Sequence, residues 1–175
     1  SSLAERPLLL QRVIRQRLAA WPNAPGAALR ACGRGAQPPL WDALPEIARD
    51  QPPFALHLGL RIVSATAEKV VAEMPASPQL INRKGVLHGG AVIGLADNVG
   101  GTLAFLNLGP GEGTTPLESK PNFFRAIPAG DLVRSESVPL HVGRKSMVVQ
   151  TSIFRADGKL AAMVTQTQFT LRDQA

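Results

Sequence analysis

The feature that most constrains the fold is a long apolar segment, residues 88–108, with a single acidic residue, Asp97, at its middle. Apolar side chains occupy nearly every face of a helix drawn over it: Ala91, Val92, Ile93, Leu95, Ala96, Val99, Leu103, Ala104, Phe105 and Leu106. A helix without a polar face is buried in protein or in a membrane. Because repeated glycines weaken an isolated helix and Asp97 interrupts the apolar run, we reject a membrane span and predict a helix buried in protein.

Segments with strand character lie on both sides of this helix. Two precede it and four follow it, at 57–64, 68–74, 114–124, 131–142, 145–156 and 159–171. Asp157-Gly158, between the last two, is a strong hairpin signal, because both central residues of such a two-residue turn need positive φ. Amphipathic strands need an apolar element to cover. We therefore predict an α+β fold in which a curved antiparallel sheet wraps around the central helix.

The first fifty residues have a different character. Apolar residues at helical spacing predict an amphipathic helix over 3–20, and a Pro- and Gly-rich linker and a short helix over about 40–50 follow. We divide the chain into an N-terminal helical extension, 1–50, and a main domain, 51–175. Residues 1–37 are rich in arginine and contain one acid, Glu5, a composition similar to that of transit peptides.

Charge and cysteine content restrict the function classes. The formal charge is +6, and a basic surface attracts anions, although Arg-rich composition of the source genome is an equal explanation. The single cysteine, Cys32, excludes an intramolecular disulfide and favours a reducing compartment. We expect a cytoplasmic, bacterial protein, with the mitochondrial matrix as the alternative if the Arg-rich N-terminus is a targeting segment. His57, His88 and His141 are too dispersed to predict a metal site.

Candidate chemistry is concentrated around the start of the predicted helix. Gly89 and Gly90 expose backbone N–H groups without intrahelical acceptors, and no Cβ hinders an approaching ligand oxygen. With the helix dipole, this arrangement is typical of an oxyanion hole, and a flexible helix start is the alternative. Asp97, buried in an apolar helix, must be paired, protonated or functional. In a purely structural role, Asp97 would be satisfied by Asn98, by Thr102 or by a nearby backbone end.

The spacing of Gly89 and Asp97 has a consequence for assembly. Eight residues along a helix correspond to about 12 Å, so the two cannot act on one bond within one helix. Two antiparallel copies of the helix across a two-fold axis would bring Gly89 of one chain near Asp97 of the other. This interpretation requires a dimer, in which Gly100 and Gly101 would allow the helices to approach closely.

Spacing and order together resemble a known signature. Asn82 lies six residues before His88-Gly89-Gly90, and Asp97 lies nine after His88, as in PaaI-type hotdog-fold acyl-CoA thioesterases. The later segments 117–125, 141–144 and 158–162 resemble the strand after the helix, the next turn and the last hairpin of that family. The resemblance covers about residues 54–171 and leaves the first fifty uncovered.

The resemblance implies hydrolysis of an acyl-CoA thioester to free acid and CoA. Asp97 of the partner subunit would be general base or nucleophile, and the Gly89 N–H would polarise the carbonyl. Asn82 would hold the water or the carbonyl, or merely cap a turn. His88 would shape the helix start or serve as its N-cap. Thr115 is a weaker candidate to assist the carboxylate. A dimer is obligatory and a tetramer expected, and no cofactor is needed because coenzyme A is part of the substrate.

Substrate contacts are expected from residues near the predicted helix and the late turns: Gly90, Asn98, Phe123, Arg125, Gly143, Arg144 and Lys145. The basic side chains would meet the phosphates of CoA, with solvated surface charge as the alternative. The acyl pocket would be lined by residues from the helix and its neighbours, for which we select Phe54, Leu80, Phe105 and Phe123. The sequence does not define the acyl group.

Two other functions are compatible with the same fold. A non-catalytic acyl-CoA-binding regulatory hotdog protein would use its N-terminal region to bind DNA. No two-helix recognition unit is evident, and Asp97 is retained, so we expect no nucleic-acid partner. A hydratase or dehydratase would carry a His and an acid in motifs that this sequence lacks. A Ser-His-Asp triad is unsupported, since the chain has no Gly-x-Ser-x-Gly segment.

Overall fold

The computed structural model describes residues 44–172. The predicted helix over 3–20, the Arg-rich segment and the first part of the helix predicted over 40–50 lie outside these residues. The elements are α1 (Glu46–Arg49), α2 (Pro53–Leu58), β1 (Arg61–Ala65), β2 (Val70–Pro75), a 3₁₀ helix (Pro78–Leu80), α3 (Gly89–Phe105), β3 (Glu112–Phe123), β4 (Leu132–Val142), β5 (Ser146–Phe154) and β6 (Leu160–Arg172).

The six strands form one antiparallel sheet in the order β1-β2-β4-β5-β6-β3. Helix α3 packs against β2, β3, β4, β5 and β6, and their apolar side chains form the core. Burial alternates most regularly in β5, where every second residue from Met147 to Ile153 is buried. The predicted order of two strands, one helix and four strands is confirmed, as is the sheet that curves around the helix.

One side of α3 is only partly covered by its own chain, which contacts it at Gly94 through Phe54 and Leu58 of α2. The residues that are not buried recur every three or four positions, as expected for one face of a helix. We call this face the open stripe, and it consists of Gly90, Ile93, Gly94, Asp97, Asn98, Gly101 and Phe105. The expected burial of Asp97 is therefore wrong within a single chain, where this residue is exposed. None of the helices described has the length and apolar run needed to cross a bilayer.

The strand predicted over 57–64 is wrong in its first part, because α2 extends to Leu58. Pro53 is the first residue of α2, a position where the missing N–H costs nothing. Gly59, with φ of 71°, ends the helix in the left-handed conformation. These start and stop signals outweigh the short apolar alternation on which the prediction rested, and β1 begins only at Arg61.

The predicted hairpin between β5 and β6 is confirmed, but its turn is of another type. The Gly158 N–H donates to the Arg155 carbonyl at 2.9 Å, which closes a four-residue turn. Gly158 has φ of 78°, and among residues 44–172 no residue other than glycine has positive φ. Asp157 therefore does not adopt the left-handed conformation that a two-residue turn requires.

Strand β3 forms an edge of the sheet, and this explains how it accommodates Pro116 and Pro121. A proline has no N–H to donate and is tolerated where one side of a strand is unpaired. The register of β3 against β6 shifts between Pro116 and Glu118, so Leu117 is one extra residue in β3. The two prolines lie opposite Gln168 and Val164, which share one face of β6, and the extra residue thus gives both prolines the same orientation in the edge strand.

Candidate active site

A cleft of about 360 Å³ lies beside the start of α3. Its lining comes from the loop before the helix, the helix itself, the end of β3 and the start of β6. The lining residues are Asn82, Leu87, Gly89, Val92, Phe123, Phe124, Arg125, Ala126, Ile127, Ala161 and Ala162. Four of the residues singled out from the sequence are thus brought together, namely Asn82, Gly89, Phe123 and Arg125. Most of the other lining residues are apolar.

The start of α3 is fixed by His88, which is its N-cap. The Nδ1 atom of His88 accepts a hydrogen bond from the Gly90 N–H at 2.9 Å. Gly90 is therefore engaged by the cap, whereas Gly89, the first helical residue, has an N–H without an intrahelical acceptor. A Cβ placed on Gly89 would lie 3.4 Å from the Phe123 ring, so this amide borders the apolar wall of the cleft.

Asn82 closes the loop that leads to the helix. Its Oδ1 atom accepts from the backbone N–H of Lys84 at 2.8 Å and of Val86 at 3.4 Å. The loop also needs Gly85, whose φ is 77°. With the side-chain oxygen occupied in this way, the amide nitrogen is the polar atom that Asn82 has to offer to the cleft. The geometry gives Asn82 both a turn-capping role and a place in the lining.

The Asp97 carboxylate is held by a residue that the sequence analysis did not identify. Its Oδ1 atom accepts a hydrogen bond from Gln166 Nε2 at 2.9 Å. The same nitrogen donates to Ser119 Oγ at 2.8 Å. The sequence signal for Gln166 is a long polar side chain at an inward position of an alternating strand, a signal that Gln168 two residues later shares.

The structural partners expected for Asp97 make other bonds instead. Asn98 Nδ2 donates to Gln51 Oε1 at 2.8 Å and so ties α3 to the segment before α2. Thr102 Oγ1 donates to the Asn98 carbonyl at 2.8 Å. The structural alternative in which Asn98 or Thr102 satisfies Asp97 is therefore not adopted within the chain. Asn98, which we had also expected to contact substrate, is absent from the lining of the cleft.

Gly89 and Asp97 occupy the same helix and are separated as the sequence requires. Eight residues of continuous helix place them about 12 Å apart along its axis, and Asp97 does not line the cleft of its own chain. Gly100 was expected to face a second helix, but it is buried against Gln166 and Val149 of its own sheet. Gly101 lies in open space.

Three of the expected substrate contacts, Gly143, Arg144 and Lys145, lie at the end of the sheet that is far from the cleft. Strand β6 begins beside the cleft and runs for 13 residues, about 40 Å, to Arg172. There the Arg172 guanidinium donates to the Arg144 carbonyl at 3.2 Å, and the Thr170 N–H donates to the Lys145 carbonyl at 2.9 Å. The turn that carries Gly143, Arg144 and Lys145 is thus remote from the cleft of the same chain.

Thr115 also belongs to the far half of the sheet, near the start of β3 and opposite Phe169. No hydrogen bond joins it to Asp97 among the described residues. Ser119, four residues further along β3, is the hydroxyl residue that shares a partner with the carboxylate. At the beginning of β3, the Gly109 backbone N–H and the Arg172 guanidinium lower the pKa of Glu112 below its ordinary value.

The site therefore contains a backbone donor beside an apolar cleft and an anchored carboxylate on the same helix. Between residues 44 and 172, no group of three or more His, Cys, Asp or Glu side chains is arranged to hold a metal ion. A helix on a curved antiparallel sheet, with a glycine-bearing helix start at a cleft, defines the hotdog class of proteins.

Comparison with known proteins gives the family. The thioesterase superfamily matches residues 84–162. The chain is 30% identical to a putative esterase of Haemophilus influenzae over 107 residues, which are 61% of this chain and 77% of the relative. It is 31% identical to the proofreading thioesterase EntH of Klebsiella pneumoniae over 103 residues, 59% of this chain and 74% of the relative. The chain belongs to the thioesterase superfamily and is a thioester hydrolase.

Solved structures agree with this assignment. A thioesterase from Haemophilus influenzae superposes with a TM-score of 0.65 at 28% identity, covering 68% of this chain and 82% of that one. A conserved protein from Pseudomonas aeruginosa superposes with a TM-score of 0.65 at 33% identity, covering 69% of this chain and 95% of that one. The Escherichia coli protein PaaI shares the fold, with a TM-score of 0.64 at 22% identity over 69% of this chain and 85% of that one.

Proposed function

We propose that this protein hydrolyses acyl-CoA thioesters to a free acid and CoA, in a site formed by two subunits. The observation that carries the proposal is the Gly89 N–H, which borders an apolar cleft while a carboxylate lies further along the same helix. The acyl chain would lie against the apolar lining. Its carbonyl oxygen would accept a hydrogen bond from Gly89, which stabilises the negative charge that develops there during attack.

Asp97 of the partner subunit would activate the attack. As general base, the carboxylate takes a proton from water while the water oxygen bonds to the carbonyl carbon. The tetrahedral intermediate then expels the CoA sulfur, which leaves as a thiolate and takes up the proton. A thiol with a reference pKa of about 8.5 is a good leaving group, so one carboxylate and one polarising donor suffice. As nucleophile, Asp97 would instead form an anhydride that water hydrolyses.

The open stripe supports the two-subunit site. It places Asp97 beside small residues, Gly94 and Gly101, on a helix face that its own chain leaves partly uncovered. Two such faces related by a two-fold axis would be self-complementary, and antiparallel helices would bring Asp97 of one to Gly89 of the other. The same operation would carry the partner's β4–β5 turn toward the cleft, where Arg144 and Lys145, with Arg125, would meet the phosphates of CoA.

The test is a hydrolysis assay on a panel of short-chain, medium-chain and aromatic acyl-CoAs, in which the free thiol of the released CoA is measured. We expect turnover by the wild-type protein and a fall in kcat of about 100- to 10,000-fold in Asp97→Asn, because the amide cannot accept the proton. Affinity for a non-hydrolysable CoA thioether should change little. Asp50→Asn, an exposed carboxylate at the end of α1, is the matched control and should keep full turnover.

Two results would contradict the proposal. One is a wild-type protein that binds acyl-CoA without turnover, as a regulatory protein does. The other is wild-type kcat in Asp97→Asn. A single turnover in ¹⁸O-labelled water then separates the two roles of the carboxylate, because only a nucleophilic Asp97 acquires the label in its own side chain.

A further inference from the structure

We infer that Gln166 is a positioning residue, which holds the Asp97 carboxylate and the Ser119 hydroxyl in one hydrogen-bonded unit, and that Gly100 provides the space for it. The inference rests on the proposed function, since it concerns the carboxylate of that reaction. Gln166 acts through Asp97 and has no contact of its own with the substrate.

The side-chain nitrogen of Gln166 carries two protons and makes both hydrogen bonds. Gln166 Nε2 donates to Asp97 Oδ1 at 2.9 Å and to Ser119 Oγ at 2.8 Å. Gln166 is completely buried and lies in β6, directly opposite Ser119 of β3 and Val149 of β5. The donor is therefore fixed by two neighbouring strands, whereas the carboxylate that it binds is on the exposed face of α3.

The orientation of the amide follows from charge. An ionised carboxylate only accepts hydrogen bonds, so the nitrogen of Gln166 must face Asp97. The carbonyl oxygen Oε1 then points into the interior, where it is buried without a hydrogen-bond partner. A buried, unsatisfied carbonyl destabilises the fold, and an apolar side chain of similar length would avoid this loss. Gln168 Nε2 is also buried without a partner, so what distinguishes Gln166 is that the satisfied half of its amide is the half that binds Asp97.

The helix is adapted to the same amide. A Cβ on Gly100 would lie 2.1 Å from Gln166 Oε1, so any larger residue at this position displaces the side chain. Gly100 follows Asp97 by three residues, and both therefore lie over the same part of β6. One turn of α3 thus provides the carboxylate and the space for the group that holds it.

The hydrogen bond that anchors the Asp97 carboxylate to Gln166 has a direct consequence for the proposed reaction. An exposed carboxylate is free to change rotamer, and a displacement of about 1 Å from the reactive geometry reduces turnover by as much as about 100-fold. The bond from Gln166 fixes Oδ1 and leaves Oδ2 directed away from the amide, available to a water molecule or a carbonyl carbon.

The experiment replaces Gln166 by methionine, which has a similar length and no N–H donor. In the full-length protein, we expect kcat of Gln166→Met to fall by about 10- to 100-fold with KM changed less than about threefold. The melting temperature should stay the same or rise, because the unpaired carbonyl is removed. Gln168→Met is the matched control, since Gln168 lies on the same face of β6, is equally buried and binds Thr114 instead of Asp97.

A second measurement observes the hydrogen bond itself. We compare the ¹⁵N–¹H spectra of the wild-type protein and of Asp97→Asn. The side-chain amide signal of Gln166 should differ between the two spectra, and that of Gln168 should stay in place. If Gln166→Met keeps the wild-type kcat while Asp97→Asn is inactive, the inference fails and the proposed function stands. Equal losses of kcat and melting temperature in Gln166→Met and Gln168→Met would overturn it too. A wild-type protein without turnover rejects the proposed function, and the spectra then still decide whether Gln166 binds Asp97.

Discussion

At the scale of single residues, the group at the centre of the proposed chemistry is a main-chain amide, which ordinary side-chain substitution leaves intact. Gly89 is the first residue of α3, and proline is well accommodated at that position, because its φ suits a helix and its N–H is not needed there. His88 before it has ψ of 137°, the extended conformation that a following proline prefers. Gly89→Pro therefore removes the donor and retains the helix.

We expect Gly89→Pro to lower kcat by about 100- to 1,000-fold, the usual effect of losing one oxyanion donor. Gly89→Ala keeps the N–H and places a Cβ at ordinary contact distance from Phe123, so we expect kcat of this variant to fall far less. Steady-state kinetics on one acyl-CoA and circular dichroism of both variants provide the measurement. Equal kcat values for the proline and alanine variants would exclude the Gly89 amide as the donor.

The sequence predicted some of these residues and could not have predicted others. Asn82, His88, Gly89 and Asp97 lie within sixteen residues of one another, so their spacing along a loop and a helix is readable directly. Gln166 is 69 residues from Asp97, and their contact depends on how β6 is aligned beneath α3. That alignment is set by the packing of the whole sheet, and a local pattern contains no information about it.

At the scale of elements, α3 has two tasks that impose different demands on its surface. It must fill the concave side of the sheet, and it must present a carboxylate and leave room for Gln166. Glycine within a helix is less favourable than alanine by about 1 kcal/mol, so Gly100 weakens the helix in isolation. The space occupied by the Gln166 amide explains why this weakness is retained.

Gly100→Ala tests this explanation. The new Cβ should push the amide away from Asp97, and we expect kcat to fall about tenfold or more. Overpacking costs about 1–3 kcal/mol and outweighs the gain in helix propensity, so urea unfolding should show a net loss of stability. In a Gln166→Val background the collision is absent, and adding Gly100→Ala should then change kcat little. Independent, additive effects on kcat would contradict the explanation.

Regular periodicity made most elements predictable, and local chain geometry accounts for the failures. The strands on either side of α3 alternate over many residues, and their order along the chain is correct. Residues 53–60 are too few for a period to be decisive, and there Pro53 and Gly59 determine a helix. In the β5–β6 hairpin, Gly158 alone supplies positive φ, a distinction that the residue pair Asp-Gly does not encode.

At the scale of the whole molecule, the proposed two-subunit site would make the assembly part of the mechanism, because the donor and the carboxylate are separated along α3. If each site takes Gly89 from one subunit and Asp97 from the other, two inactive variants should complement each other. We expect a mixture of Gly89→Pro and Asp97→Asn, unfolded and refolded together, to recover about a quarter of wild-type turnover through random pairing of subunits. Each variant refolded alone should stay inactive, and an inactive mixture would place both groups in one subunit.

The bulge at Leu117 in β3 determines which residue of that strand lies opposite Gln166, the residue that holds the Asp97 carboxylate. With Leu117 present, Ser119 lies opposite Gln166. If Leu117 were paired with Thr167 in a regular ladder that continues from Pro116 and Gln168, Glu118 would lie opposite Gln166 instead, and a second negative charge would compete for the same amide protons. The bulge, rather than the side chain at position 117, therefore keeps a neutral hydroxyl opposite the amide that binds Asp97, and a straightened β3 with Leu117 paired would place an anion there.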